Sequence, residues 1–454
     1  MLQPSDTSPR EPMHSPNTRR NSIGSAITSW SSAARVSSTP VVAARLPTMR
    51  LRLLPAEASP DAGLLLATRA MRAFVDGLVA VVLPSYLIVL GLTGQQIGVV
   101  LTATLLGSAV LTLFVGLRAY RLPRRFVLRL AAATMVATGI GFGLLSSFWA
   151  LTLVALAGTL NPSAGDVSIF LPTEQSLLAQ TVSDRQRTAL YARYSLIGFV
   201  CAAVGSLAAG LPDAMARATS LSETTTLRLV FGLYAVTGVL VFGLYRHLSP
   251  QLEPADRPPA VPLGPTRRLV YRLAATFSLD AFGGGFVVQS LLAFWLFRRF
   301  DLSIGTAGAI FFWAGLLSGA SALIAVRIAH RIGLIRTMVF THLPANLLLM
   351  ATPFMPNLLL ATACLLARSA LSQMDVPTRT SYVMAVVTPA ERPAAASITN
   401  VPRSLAAAIA PLAAGWLLDQ STFGWPLLIG GALKTIYDLL LLVMFRHIRP
   451  PEEQ

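Results

Sequence analysis

The sequence predicts an all-helical integral membrane protein, with twelve transmembrane helices arranged as two pseudo-symmetric six-helix bundles. Three observations carry this reading. The 454 residues are 54% hydrophobic and only 12% charged, against roughly 25% charged in soluble domains. Apolar runs of about 20 residues, enough to cross a ~30 Å hydrocarbon layer, recur from Gly63 almost to the C-terminus. Like residues also return at a near-constant offset of 204 to 210, as expected of a duplicated bundle.

Taken in order, residues 1–62 are rich in Ser, Pro and Arg and lack apolar periodicity. They predict a disordered cytoplasmic tail without a secretory h-region, and Met49 is an alternative start. Twelve apolar segments follow, at 68–91, 96–117, 127–146, 149–172, 191–211, 227–245, 270–296, 306–326, 337–355, 357–378, 397–418 and 425–445. The Pro-rich stretch near 249–266 divides six from six, which gives a bundle over 63–247, a linker over 248–267 and a second bundle over 268–448.

The formal net charge of +16 would suggest nucleic acid in a soluble protein, but the arginines stand at the ends of apolar runs. They read as topology signals, and no nucleic-acid partner is expected. Arg118, Arg121, Arg124 and Arg125 follow span two, Arg246, Arg257, Arg267 and Arg268 flank the linker, and Arg327, Arg331 and Arg336 follow span eight. The positive-inside rule puts both termini and the linker in the cytoplasm; Arg217, Arg228, Arg298 and Arg299 are exceptions. Cys201 and Cys364 lie in different apolar segments without metal-type spacing and read as packing residues.

The repeat is visible at three places. Leu92-Thr93-Gly94 and Gly98 match Leu302-Ser303-Ile304 and Gly308, and Arg121 matches Arg331, all at an offset of 210. The small-residue run 201–210 matches 406–415 at 205, and Pro172-Thr173-Glu174 matches Pro377-Thr378-Arg379 at the same offset.

Two six-helix halves with a basic loop after spans two and eight resemble the major facilitator superfamily, whose signature there is G-x-x-x-D-R-x-G-R-R. The first copy here is Gly116-Leu117-Arg118-Ala119-Tyr120-Arg121-Leu122-Pro123-Arg124-Arg125, with Tyr120 at the acidic position. The second keeps Arg331 and Gly333 but has His330 there. The resemblance implies a secondary transporter working by alternating access, with Gly116, Arg121, Arg124, Arg125, Arg331 and Gly333 at its cytoplasmic gate. Loss of both acids puts the usual lock in doubt, and Glu174 or Asp184 are candidates to replace it. A second family pattern, associated with antiport export, is matched only in part by Cys201, Gly205, Ser206, Ala209 and Gly210 and by the Pro411 region; close helix packing through small residues is the favoured explanation of it.

Ionisable residues inside spans need a partner, a water-filled cavity or a function. Asp76 in span one and Asp280 in span seven stand at an offset of 204; carboxyls so placed are the group type that reversible proton carriage needs. The alternative for Asp76 is pairing with Arg72 at i−4. Arg368, Ser372, Asp375 and Arg379 fall on one face of a continuous span ten, with Arg368 near the midplane as a candidate substrate contact. Asp375 and Arg379 form an expected intrahelical pair. In span four, Asp166 and Glu174 share a face, and repeat symmetry sets Glu174 opposite Arg379 as a gate pair that breaks on alternation, with separate pairing to loop arginines as the equal alternative. Arg403 in span eleven could neutralise Asp375 or bind substrate, while Lys434 and Asp438 at i, i+4 read as a self-pair.

No G-x-S-x-G elbow, phosphate-binding G-x-x-x-x-G-K or metal-type His cluster occurs. The expectation is a non-enzyme without a cofactor: a monomeric transporter in the bacterial inner membrane, whose partners are a small-molecule substrate, protons and the lipid bilayer. The leading reading is proton-coupled efflux by antiport. An importer of an anionic metabolite and a non-transport membrane sensor are the alternatives.

Overall fold

The computed structural model describes residues 59–118, 122–163, 170–253, 263–388 and 391–445. Among them there is no strand. The helices are α1 (Pro60–Val89), α2 (Gly94–Arg118), α3 (Arg124–Leu144), α4 (Phe148–Leu156), α5 (Phe170–Leu178), α6 (Asp184–Ala208), α7 (Leu211–Ala218) and α8 (Glu223–Arg246) in the first half. The second half holds α9 (Arg267–Gly285), α10 (Gln289–Phe300), α11 (Ile304–Ile332), α12 (Leu334–Ala351), α13 (Leu358–Ser372), α14 (Asp375–Val386), α15 (Arg392–Gln420) and α16 (Trp425–Phe445).

Among the described residues ten helical stretches are long and apolar enough to cross a membrane. The predicted spans four and ten are the exceptions, because each breaks. The first is α4, then Gly158 at φ +73° and Asn161-Pro162, with α5 described from Phe170 onward. The second is interrupted between α13 and α14 at Gln373 and Met374. Large apolar side chains such as Trp149, Leu153 and Leu359 are left 70 to 77% exposed, which water would penalise and acyl chains tolerate.

Local chemistry sets many boundaries. Ser222, Ser303 and Asn357 accept hydrogen bonds from the amides of Thr225, Thr306 and Leu360, capping α8, α11 and α13. Gly333, at φ +88°, turns the chain between α11 and α12 where a side chain would be strained.

Within the first bundle α1 packs on α6 and α3 on α8; within the second α9 packs on α15 and α12 on α16. Between the bundles α2 meets α15 and α6 meets α11, and small residues permit the approach. A Cβ on Gly98 would fall 2.5 Å from the Pro411 carbonyl oxygen, and one on Gly308 would fall 2.3 Å from that of Ser206. These are the two glycines, and two of the residues in the small-residue runs, that the sequence repeat pairs.

The two ends of the molecule differ. One apolar core joins both bundles near the face that carries the turns at 90–93 and 421–424, drawing Tyr86 and Leu87 together with Trp295, Phe311 and Leu418. Toward the opposite face, which carries the linker, the cores separate. Leu65, Leu177, Tyr194 and Tyr245 form one, and Val270, Phe277, Tyr382 and Tyr437 form another. The bundles therefore converge at the first face and hold independent cores at the second.

Candidate functional site

A cavity of about 390 Å³ lies between the bundles. The first bundle gives it mainly the small and aromatic residues of α6, Phe199, Ala203 and Ser206, whereas all its charge comes from the second. Asp280, Asp375, Arg368, Arg379, Arg403 and Lys434 line it, together with His342.

Asp280 is the hub. Its Oδ1 accepts from Lys434 Nζ at 2.5 Å and its Oδ2 from Arg379 Nη1 at 3.2 Å. Arg379 also reaches Asp375 Oδ2 at 3.1 Å, which is the expected i, i+4 pair. His342 Nε2 stands 4.0 Å from Asp280 Oδ1, while its Nδ1 is 3.0 Å from Asp438. Asn346 donates to Asp438 at 2.8 Å. Burying an ion costs several kcal/mol unless partners replace its hydration, and here every carboxylate has at least one.

The expected Lys434–Asp438 self-pair does not form. Lys434 has the length to turn inward to Asp280, leaving Asp438 to His342 and Asn346 on α12. His342 and Asn346 had no place in the sequence reading; their spacing of four within an apolar segment was the available signal. The break at Gln373 and Met374 also removes the single continuous face expected for span ten. Arg368 and Ser372 on α13 and Asp375 and Arg379 on α14 nevertheless line the same cavity.

The first bundle has its own buried cluster. Glu174 pairs with Arg72, receives hydrogen bonds from Tyr194, from Tyr245 at 2.6 Å and from Thr68 at 2.7 Å, and is fully buried. The Arg72 guanidinium stacks 4.2 Å over Phe170, and Asp76 lies beside Arg72, Arg69 and Asn161. Asp76 is not part of the cavity wall, so Asp76 and Asp280 do not face one space in this conformation. The cross-half Glu174–Arg379 pair is absent too, since each finds its opposite charge inside its own bundle. What the repeat preserves is a charge-inverted pair: Arg72 with Glu174 in one half, Asp280 with Arg379 in the other.

At the linker face Glu174 does not supply the missing motif acid, because it is buried against Arg72. Glu253 accepts from the backbone amides of Arg124 at 3.0 Å and Arg125 at 2.9 Å, capping α3. Arg124 also donates to the Ser176 carbonyl, and Arg125 to that of Leu248. Glu174 is committed to Arg72, and the Asp184 side chain lies outside the described residues. Gly116 is within α2, Arg331 is exposed near the end of α11, and Gly333 follows it. Asp166 and Arg121 lie outside the described residues, as does the His330 side chain.

The fold, the glycine contacts between bundles and a charged central cavity define a transporter-type membrane protein. The family model of the Major Facilitator Superfamily matches residues 65–374 and 273–454, and the chain belongs to that superfamily. It is 25% identical over 423 residues to the uncharacterized membrane protein YJR124C of Saccharomyces cerevisiae, covering 86% of this chain and 94% of that one. Similarity to the multidrug efflux protein YfmO of Bacillus subtilis is 28% over 184 residues, 40% of this chain and 46% of that protein. Among solved structures, the D-xylose–proton symporter superposes with a TM-score of 0.66 at 14% identity, over 87% of this chain and 98% of that one.

Proposed function

We propose that this chain is a proton-coupled secondary transporter that moves a small organic solute through the central cavity by alternating access. The observation that carries the reading is Asp280, a buried carboxylate in the cavity wall shared between Lys434, Arg379 and the nearby His342. A proton arriving on His342 Nε2 or on Asp280 changes which of these partners the carboxylate holds. A solute entering the same cavity changes the field they feel, so the two occupancies are coupled through one set of contacts.

The bundles at 63–247 and 268–448 move as the two rigid parts, joined by the linker at 248–267, with both termini cytoplasmic. In that orientation the separated cores at the linker face describe an inward-facing state closed on the outside. Efflux is the favoured direction, supported by the similarity to YfmO over part of the chain. Asp76, Arg72 and Glu174 act as a structural anchor of the first bundle. Arg124, Arg125, Arg331 and Gly333 belong to the cytoplasmic gate, with Glu253 in place of the motif acid.

The test is reconstitution in vesicles with an internal pH dye, an imposed proton gradient and pooled solutes. Solute-dependent proton flux that disappears in Asp280→Asn supports the reading. Solute movement with no proton flux, equal in wild type and Asp280→Asn, refutes the coupling.

A further inference from the structure

We infer that the solute is a small amphipathic organic anion, its charged group held by Arg368 in the positive field that Arg403 adds to the cavity, and its apolar body resting on the apolar part of the wall. The inference rests on the transport reading and names the substrate class of the same site.

Charge accounting comes first. Four formal cations line the cavity, Arg368, Arg379, Arg403 and Lys434, against two carboxylates, Asp280 and Asp375. Those carboxylates are already engaged: Lys434 and Arg379 hold Asp280, and Arg379 also holds Asp375. Two positive charges of these side chains remain without a counter-charge in the wall. They belong to Arg368 and Arg403.

The geometry agrees. Among the described residues Arg368 makes no ion pair or hydrogen bond, and its Nε is buried without a partner. Arg403 has the same orphaned Nε, makes no ion pair among the described residues, and lies within electrostatic reach of Arg379, a like charge, as well as of the already engaged Asp280 and Asp375. A guanidinium in the interior of a membrane protein persists where it meets water, a counter-ion or a ligand, and both of these meet the cavity. A planar fork of donors matches carboxylate, sulfonate and phosphate oxygens, which accept two parallel hydrogen bonds. Arg368 on α13 and Arg403 on α15 come from separate helices and line the same cavity.

The rest of the wall fixes the other end of the ligand. Phe199 on α6, Ile310 and Phe311 on α11, Leu292 on α10 and Leu365 on α13 offer apolar surface. A volume near 390 Å³ is at the small end of ligand pockets, which run from about 300 to 1,000 Å³. An aromatic or short aliphatic body with one acidic group satisfies both ends; a bare inorganic anion leaves the apolar wall wet. Because the apolar wall spans both bundles and the arginines lie in only one, the anion anchors to the second bundle and its body reports on closure against the first.

The experiment measures binding to the full chain in lipid nanodiscs with four matched probes: 1-naphthoate, 1-naphthyl phosphate, 1-naphthamide and 1-naphthylmethylammonium. The expected result is that one or both anions bind at least tenfold more tightly than the amide and the ammonium. Arg368→Gln and Arg403→Gln each weaken the anion at least tenfold and leave the amide unchanged. Arg368→Lys, which keeps the charge but loses the fork, falls between wild type and Arg368→Gln and covers the case in which the Gln variant does not fold. An anion that binds no better than its amide, or binds equally to wild type and both Gln variants, overturns the inference, as does the absence of anion binding at millimolar concentration.

The proton-flux screen separates the two readings. Flux with neutral or cationic solutes, without anion binding, refutes the anion class and leaves transport standing. Arginine-dependent anion binding with no flux of any solute keeps the site and refutes transport.

Discussion

Asp419, the penultimate residue of α15, accepts hydrogen bonds from the amides of Gly94 and Gln95, both at 2.7 Å, and so caps α2 of the other bundle. The arrangement has a counterpart in the first half. Asp213, on α7, has its carboxyl within electrostatic reach of the backbone amide of Ile304, the first residue of α11. Gly94 and Ile304 are repeat partners at an offset of 210, and Asp213 and Asp419 stand at 206. Each bundle thus places an acid on the positive end of a helix in its partner, on the face where the cores merge.

If these caps hold that face closed, Asp419→Ala weakens the closure without unfolding the protein. A helix cap is worth about 0.5–2 kcal/mol, so the population opened at that face should rise by a factor of about 2 to 30. Alkylation of a cysteine at Leu292, which lines the cavity, in a background lacking Cys201 and Cys364, by a membrane-impermeant reagent offered only on that face of sealed vesicles of one orientation, reads that population. A labelling rate equal to that of the unmodified cap argues that Asp419 does not contribute to closure. Its partner Arg298, at 3.3 Å, is exposed enough that its own loss should matter less.

Gly98 and Gly205 make contrasting predictions from the same residue type. A Cβ on Gly98 would meet the Pro411 oxygen at 2.5 Å, across the bundles, whereas one on Gly205 would meet the Phe74 oxygen at 1.8 Å, within one bundle. Overpacking of this kind costs about 1–3 kcal/mol. Gly205→Ala is therefore expected to lower Tm in every conformation, while Gly98→Ala relieves its clash by opening the α2–α15 contact. The expected pattern is unchanged Tm with faster Leu292→Cys labelling for Gly98→Ala, and the reverse for Gly205→Ala. Equal losses of Tm would contradict the distinction.

The linker is pinned at both ends by carboxylates. Glu253 caps α3, and Glu391 accepts from the Thr388 hydroxyl at 2.7 Å and the Gly264 amide at 2.6 Å. The Thr388 hydrogen bond first, and the Gly264 amide second, hold the Glu391 carboxyl below its ordinary value. A depressed carboxyl contributes stability above its unfolded value, about 4.3, and loses it as pH falls through the lower folded one. Amide exchange at Gly264, corrected for intrinsic rate, should stay slow at neutral pH and accelerate only below the ordinary glutamate range. In Glu391→Gln it should be fast throughout. Slow exchange in that variant at neutral pH would remove the anchoring role.

Much of this was legible in the sequence, because span length, arginine placement and small-residue repeats are local records of a global constraint. Gly98, Gly308 and the runs 201–210 and 406–415 carried the correspondence between halves, and they are where the bundles touch. Charge pairing was less legible. Helical spacing joins Lys434 to Asp438, but a buried lysine can reach any acid within about 6 Å of its path, and Asp280 lies on another helix. Spans four and ten read as continuous because apolar composition does not register a break; only Asn161-Pro162 hinted at the first. His342 was overlooked since a lone histidine in an apolar run more often fills space, and its meaning comes from Asp280 and Asp438, which are distant in sequence.

The charge-inverted pairs allow structural and transport roles to be separated. Glu174 and Arg72 are buried away from the cavity, with Tyr194, Tyr245 and Thr68 completing the carboxylate's shell. Glu174→Gln removes the paired carboxylate of the buried Arg72 guanidinium and leaves it only the neighbouring Asp76, and breaking a buried pair from one side costs about 3–5 kcal/mol. The double replacement Arg72→Met with Glu174→Met removes both charges and is expected to recover most of that loss. In the second bundle Asp280→Asn also strands cations, yet Lys434 and Arg379 line the cavity, where water can solvate them, so its Tm should fall less than that of Glu174→Gln while its proton flux vanishes. Thermal unfolding in nanodiscs, set beside vesicle flux for the same variants, measures both quantities. A large Tm loss for Asp280→Asn, with flux preserved in the folded fraction, would reverse the assignment and make the second pair the structural one.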